Sequence, residues 1–191
     1  MSAVAQTSRR SRSAMRAIGW LMLAALLAVP ALAMRFAPAS GFNWTASDFV
    51  VGGVLLGGVG LAIETAVRTS RHWSYRGGAL VAVGTGFLLL WANLAVGLVG
   101  NEDNVLNLLF VAVLVVGAAG SALARLRAAG MAKALALTGI AQLAAAAVAL
   151  GATQAGPGRP LEITALAGVF PAAWFFSAWL FRRAAGEATC G

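Results

Sequence analysis

Several residue types that build catalytic and metal sites are scarce in this chain of 191 residues. There is one cysteine, Cys190, and one histidine, His72. A single thiol excludes an intramolecular disulfide and a thiolate metal site, and a single imidazole excludes a two-histidine haem site or a conventional zinc triad within the chain. The sequence also has no phosphate-binding glycine loop and no G-x-S-x-G motif. It therefore predicts no catalytic residue and no resident cofactor.

Charged residues are scarce as well. They make up 10% of the chain, whereas soluble proteins average about 25%. Hydrophobic residues reach 60% and the mean hydropathy is +0.84, which is typical of an integral membrane protein. The net charge of +8 would suggest nucleic acid in a soluble chain. Here the bases lie at the ends of apolar segments, so we interpret them as anchors for lipid headgroups and expect no nucleic-acid partner.

Six apolar segments are long enough to cross a bilayer, which needs about 20 residues each. They predict an all-α bundle of six transmembrane helices with no soluble domain. The predicted domain covers residues 17–183, between a basic flexible tail at 1–16 and a short tail at 184–191. The predicted spans are Ala17–Met34, Phe49–Val67, Gly78–Gly100, Leu106–Ala124, Ala134–Gly151 and Ile163–Phe181.

The basic residues predict the orientation of these spans. If the N-terminus is cytoplasmic, only Arg35 and Arg159 of the fourteen Lys and Arg residues face outward. Cytoplasmic loops of membrane proteins carry an excess of Lys and Arg, so both termini are expected to be cytoplasmic. The first span has an alternative interpretation, because a basic segment, an apolar run and Ala31-Leu32-Ala33 also describe a cleaved secretory signal. Its length favours a retained helix.

Small residues recur at helical spacing in two spans. Gly53, Gly57, Gly60 and Glu64 share one face of the second span. A similar stripe in the third span comprises Ala82, Gly86, Asn93, Gly97 and Gly100. Such stripes let helices approach closely, so we expect spans two and three to pack through these surfaces.

A few polar residues lie within the predicted spans, where polar residues often mark sites. Asn93 and Gln142 are predicted about 10 and 13 Å below the outer ends of their helices, at 1.5 Å per residue. Glu64 lies near the cytoplasmic end of the second span. Its simplest interpretation is an ion pair with Arg68, four residues further along the helix. The alternative is that Glu64 relays a proton or a cation.

The turn between spans three and four is rich in oxygen ligands: Asn101, Glu102, Asp103 and Asn104. Asp48, before the second span, is predicted on the same outer face. Such clusters can hold a hard divalent cation, so Glu102 and Asp103 are candidate metal ligands. Asp and Asn are also preferred at turns and helix starts, and capping explains these positions without a metal.

Aromatic residues provide one further candidate. Pro171, Trp174 and Phe175 lie at i, i+3 and i+4 in the last span. A proline kink with two rings on one face could line a groove for a lipid, a quinone or a pigment. Packing between helices accounts for the same pattern.

One resemblance concerns the middle third of the chain. The residues that carry it are Trp44-x-x-x-Asp48-Phe49, Glu64, the run Trp91-x-Asn93-Leu94-Ala95-Val96-Gly97 and the run Gly100-x-Glu102-Asp103-Asn104. In these the chain resembles a widespread group of small bacterial multi-pass inner-membrane proteins that have no assigned function. The resemblance implies a bacterial inner membrane and implies no activity, cofactor or substrate.

Three functions remain open on this evidence. The first is a non-catalytic accessory subunit or assembly factor of a membrane complex, which binds a membrane-protein partner. The second is a small cation or proton-coupled transporter that uses the acidic outer turn, Asn93, Gln142 and Glu64. The third is a lipid or isoprenoid binder at the groove near Trp174. Membrane lipids are expected partners in all three, and a homo-oligomer is an alternative to a different partner protein.

Overall fold

The computed structural model describes residues 2–37, 41, 43–95, 97–99, 103–152 and 165–188. Its long helices are α1 (Ser2–Phe36), α2 (Ala46–Thr69), α3 (Trp73–Ala95), α4 (Leu108–Leu123), α5 (Ala128–Ala152) and α6 (Phe170–Glu187). A short 3-10 turn, Val105–Asn107, leads into α4, and a π-helical segment, Ala165–Val169, leads into α6. Six helical segments in the described part are long and apolar enough to cross a membrane. The predicted all-α, six-span architecture is confirmed.

Several helices begin or end away from the predicted positions. Helix α3 begins at Trp73 and ends at Ala95, five residues before the predicted bounds at either end. Its first turn contains Trp73, Ser74, Tyr75 and Arg76, which a hydropathy window excludes although such residues are common at membrane interfaces. Helix α1 begins at Ser2, so the segment predicted as a tail is helical in its described residues. The apolar part of α1 still begins at Arg16.

The chain forms two compact units, residues 1–65 and residues 66–191. In the first unit, α1 and α2 pack side by side through residues spaced four apart on α2: Gly52, Leu56, Gly60 and Glu64. A Cβ added at Gly60 would lie 2.7 Å from Leu23 Cδ1, and one added at Gly52 would lie 3.2 Å from Leu27 Cδ1. These two glycines therefore permit the close approach of α1, as small residues do between membrane helices.

The predicted glycine stripe of the second span is confirmed in part. Gly60 packs closely and Gly53 is in ordinary contact range of Leu27, but a Cβ added at Gly57 would meet no described atom within 4 Å. The close-packed stripe contains Gly52 instead, because an interval of four residues keeps Gly52, Leu56 and Gly60 on one face. The predicted packing of span two on span three stays a prediction.

In the second unit, α5 packs against α4 and α6, and α6 also packs against α3. Small residues stand at these crossings. A Cβ added at Gly120 would lie 2.9 Å from Ala134 Cβ, and one at Gly139 would lie 3.0 Å from the Phe175 ring. The largest wholly buried apolar side chains of the described residues are Phe110, Phe181, Leu89 and Leu135. Together they form a continuous core among four helices.

Candidate functional site

The predicted oxygen-rich turn is described only in part. Asn104 is the N-cap of the 3-10 turn, and its Oδ1 accepts a hydrogen bond from Leu106 N at 3.0 Å. Asp103 lies exposed in the turn before it. Asn101 and Glu102 lie outside the described residues. Capping therefore accounts for Asn104, and the divalent cation at Glu102 and Asp103 stays a prediction.

Asp48 also has a capping role. It lies in the first turn of α2, and its Oδ2 accepts hydrogen bonds from Thr45 N at 2.7 Å and Thr45 Oγ1 at 2.8 Å. An acid that reaches back to the backbone N–H three residues earlier is one half of a capping box. The carboxylate also lies at the helix N-terminus, where negative charge is stabilising. Its described contacts fix the start of α2.

Asn93 holds a turn together rather than lying deep in its helix. Because α3 ends at Ala95, Asn93 is in its last turn, and the predicted depth of about 10 Å is wrong. Asn93 Nδ2 donates to Asn107 O at 2.9 Å. Asn107 Oδ1 in turn accepts hydrogen bonds from Leu98 N and Val99 N, each at 2.9 Å. The two buried amides therefore connect the end of α3 to the start of α4.

Sequence reasoning missed Asn107, because it falls inside the predicted fourth span at Leu106–Ala124 and was counted with the apolar run. The available signal was its amide side chain at the second position of that predicted span. A buried amide at such a position needs a partner. The residues that supply one are Leu98 and Val99, in the preceding turn.

Glu64 binds α1. Its side chain is 14% exposed, and its carboxylate forms an ion pair with Arg16 and accepts a hydrogen bond from Trp20 Nε1 at 3.0 Å. Arg16 and Trp20 lie on adjacent turns of the same face of α1, so both reach one carboxylate. The predicted pair with Arg68 stays a prediction, as does the relay through Glu64. The described contacts of Glu64 are an ion pair and a hydrogen bond that join α1 and α2.

Gln142 is the most deeply buried polar side chain among the predicted site residues. It is fully buried in α5, and its Nε2 donates to Leu166 O at 3.3 Å, within the π-helical segment. Its Oε1 has no hydrogen-bond partner among the described residues, and neither has Trp174 Nε1. Trp174 is 3% exposed. Buried polar atoms without a partner are rare, so these two atoms differ from the other buried polar atoms of the described residues.

The predicted groove of Pro171, Trp174 and Phe175 is occupied largely by helix packing. Pro171 and Trp174 are buried, and a Cβ added at Gly86 of α3 would lie 3.6 Å from the Trp174 ring. Phe175 lies over Gly139 of α5 and keeps 38% of its surface exposed. The two rings therefore pack against different helices. Lipid binding at these residues stays a prediction.

A second polar cluster surrounds Glu187, which the sequence placed in a tail. Its carboxylate accepts a hydrogen bond from Ser74 Oγ at 2.7 Å and lies 3.6 Å from His72 Nδ1 and 3.3 Å from Arg183 Nε. Ser74 bonds to the carboxylate directly, so the three residues do not have the order of a Ser-His-acid triad, in which the imidazole lies between the other two. The cluster fastens the end of α6 to the start of α3.

The same end of the second unit gathers basic residues, and we call it the basic end. It contains the start of α3, the α4–α5 turn and the end of α6. Two of its arginines are engaged: Arg76 donates to Ser70 O and Val67 O, and Arg183 binds Glu187. Other basic side chains make no hydrogen bond or ion pair with any described residue: Arg71, Arg125, Arg127, Lys133 and Arg182.

The described residues contain no group of three or more His, Cys, Asp and Glu side chains that could hold a metal ion. In comparisons with known proteins, no family model matches the chain, and no curated protein or solved structure is significantly similar to it. The predicted kinship with small bacterial inner-membrane proteins therefore stays a prediction. Interpretation of the chain rests on its own geometry.

Proposed function

We propose that the protein is a non-catalytic accessory subunit or assembly factor of a membrane complex, in the inner membrane of a bacterium. Its resemblance to small bacterial membrane proteins supports the location. Several polar side chains that the sequence indicated as candidate sites have structural contacts. Asn93 and Asp48 form hydrogen bonds at helix ends, and Glu64 joins α1 to α2. The function is therefore sought on the surface of the protein.

One surface of α2 carries this proposal. Val54, Gly57, Gly58 and Leu61 lie at i, i+3, i+4 and i+7, so they share one face, which we call the open face. Val54 and Leu61 are 69% and 63% exposed, and a Cβ added at either glycine would meet no described atom within 4 Å. Glycines contribute little apolar surface to lipid, but they allow a second helix to approach closely. The open face fits a transmembrane helix of a partner protein.

The experiment is a comparison of three forms of the protein purified from their native membrane in mild detergent. Wild type is expected to co-purify with one other membrane protein in a fixed ratio. Gly58→Leu fills the open face and is expected to lose that partner, because the new side chain keeps the helices apart. Gly19→Leu, at an equally unobstructed glycine of α1, is the matched control and is expected to retain the partner.

Two results would contradict the proposal. One is recovery of the wild type alone or only with copies of itself. The other is equal retention of the partner by Gly58→Leu and wild type, which would place the interface elsewhere and remove the observation on which the proposal stands.

A second candidate function is the binding of a lipid or isoprenoid that carries a hydroxyl or carbonyl group. It is favoured by the two buried atoms without described partners, the acceptor Gln142 Oε1 and the donor Trp174 Nε1. A hydroxyl group can donate to Gln142 Oε1, and a hydroxyl or carbonyl oxygen can accept from Trp174 Nε1. The neighbouring π-helical segment adds weight, because π-bulges often occur at functional sites.

Native mass spectrometry tests this candidate. Wild type should retain one small molecule through purification, and Gln142→Leu should lose it. Thr138→Val is the control, because the Thr138 hydroxyl is one turn away on α5 and bonds to Ala134 O within its own helix. If wild type carries only bulk phospholipid, or if both variants lose the molecule equally, this second candidate fails.

A further inference from the structure

The turn between α4 and α5 has a strained backbone. Arg125 and Leu126 have φ values of 48° and 56°, in the left-handed region, although neither is a glycine. That conformation costs an L-residue about 1–2 kcal/mol. Consecutive residues of this kind persist only where the surroundings determine their conformation, and they concentrate at functional sites.

Three contacts hold the turn in this conformation. Tyr75, which is 4% exposed, donates from its hydroxyl to Leu126 O at 2.7 Å. Arg127 N donates to Ala124 O at 3.0 Å. Gly130 allows Ala124 to approach, since a Cβ there would lie 2.7 Å from Ala124 Cβ. The turn is therefore fixed in position by α3 and by the start of α5.

The side chains that this fixed turn presents are Arg125 and Arg127, on either side of Leu126. Both are exposed, and neither makes a hydrogen bond or ion pair with a residue in the described part of the chain. The one described acid at the basic end, Glu187, is already bound by Ser74 and Arg183. Within the described part of the chain, therefore, no acid neutralises these two guanidinium groups, which can bind an external anion.

The surroundings indicate which anion reaches them. Trp73 and Trp179, at the same end of the second unit, are 83% and 51% exposed, and exposed tryptophans of membrane proteins lie at the level of the headgroups. Arg76 and Arg183 lie 6.0 and 5.9 Å from these two rings. The α4–α5 turn therefore lies near the headgroup phosphates. Guanidinium groups bind phosphate with two parallel hydrogen bonds, which an ammonium group cannot do.

We propose that Arg125 and Arg127 form a specific site for the phosphate of an anionic phospholipid. In this site the strained turn fixes the backbone of both arginines, and the phosphodiester of one lipid accepts hydrogen bonds from both side chains. The site goes beyond general attraction between a basic surface and an anionic leaflet, because it depends on the conformation of the turn as well as on charge.

Native mass spectrometry in mild detergent tests the site, with phosphatidylglycerol and phosphatidylcholine of identical acyl chains as probes. The double variant R125Q/R127Q should bind phosphatidylglycerol at least about tenfold more weakly than wild type, since it loses the charge-assisted hydrogen bonds of both guanidinium groups to the phosphate. The matched control R71Q/R182Q removes two cations from the same end but outside the turn. It should weaken phosphatidylglycerol binding clearly less than R125Q/R127Q does, because it removes only the general attraction of two surface cations, and phosphatidylcholine binding should be similar in all forms.

A further variant, Tyr75→Phe, keeps every charge and removes the hydroxyl that holds Leu126 O. It should weaken phosphatidylglycerol binding while leaving the net charge and the melting temperature of the protein close to those of wild type. This result distinguishes a site that depends on the conformation of the turn from attraction by charge alone, and it does not depend on whether the double variant folds.

Three results would overturn the proposal. Equal losses in R125Q/R127Q and R71Q/R182Q would show general electrostatics only. Equal binding of phosphatidylglycerol and phosphatidylcholine by wild type would show no preference for an anionic headgroup. Displacement of phosphatidylglycerol by millimolar inorganic phosphate would show a site for a soluble anion instead of a lipid.

Discussion

Asn107 determines the geometry of the turn between α3 and α4 with one side chain. Its Oδ1 accepts from two consecutive backbone donors, Leu98 N and Val99 N, and its backbone carbonyl accepts from Asn93 Nδ2. The residue is 4% exposed, so water cannot readily replace its oxygen. A buried donor left without a partner costs about 1–3 kcal/mol.

Asn107→Ala should therefore lower the free energy of unfolding by about 2–4 kcal/mol, because two backbone donors lose their acceptor together. Asn104→Ala is the comparison, since its loss removes a single capping bond and should cost about 1 kcal/mol. Unfolding in mixed micelles, followed by circular dichroism, measures both. Equal costs for the two variants would show that the bonds of Asn107 Oδ1 are dispensable.

The same residues show how far a sequence can predict a site. Capping by Asp48 and Asn104 could be foreseen, because a cap depends on residues within a few positions of each other. The bonds of Asn107 and Glu187 could not, since they depend on where α3 ends and where α6 meets α3. The sequence predicts that Glu64 pairs with Arg68, four residues further along the helix, whereas its described ion pair is with Arg16, 48 positions away in the sequence.

At the scale of the helix pair, α1 and α2 have two kinds of contact. Gly52 and Gly60 let the helices approach closely. Glu64 adds an ion pair with Arg16 and a hydrogen bond from Trp20. Membrane helices gain little from the hydrophobic effect when they associate, since lipid is as apolar as they are. Close packing at the glycines therefore sets the stability of the pair.

Gly60→Val should destabilise this pair by about 1–3 kcal/mol, the usual cost of overpacking. Its Cβ would lie 2.7 Å from Leu23 Cδ1 and 2.9 Å from the Trp20 ring, so both side chains would have to move. Gly58→Val makes the same chemical change where nothing lies within 4 Å, and it should leave stability nearly unchanged. Thermal unfolding in detergent compares them. A similar loss in both would mean that the valine acts on α2 itself.

The number of membrane-crossing helices was predictable, and their ends were less so. Apolar runs of about 20 residues identify a span because lipid cannot solvate polar groups. Hydropathy does not register the interfacial first turn of α3 at Trp73 or the replacement of regular α-helix by a π-helical segment before Phe170. Both features depend on local hydrogen bonding, and a hydropathy value averaged over about 20 residues carries no information about hydrogen bonds.

At the scale of the whole molecule, the distribution of basic residues and the number of helices together predict the orientation of the chain in the membrane. Six crossings return the chain to the side on which it began, so both termini should lie on one side of the membrane. In the second unit the described bases all lie at the basic end, whereas Asp103 lies at the opposite end. The positive-inside rule then predicts that the basic end is cytoplasmic.

Single cysteines in a Cys190→Ser background test this orientation without altering the charge. Val105→Cys, at the end of the second unit opposite the basic end, should react with a membrane-impermeant maleimide in intact spheroplasts. Ala129→Cys, beside the α4–α5 turn, should react only after the membrane is permeabilised. Both positions are exposed, so accessibility within the protein does not separate them. The reverse labelling pattern would contradict the orientation predicted from the bases.

Labelling cannot distinguish a retained first helix from a cleaved signal, because removal of α1 leaves the later helices in the same orientation. An N-terminal epitope tag makes the distinction. Retention of Arg16 is expected, since it forms the ion pair with Glu64, a carboxylate only 14% exposed, and loss of one partner leaves the other costly to bury. The tag should therefore remain on the full-length membrane protein, and a shortened, untagged product would show cleavage after Ala33 instead.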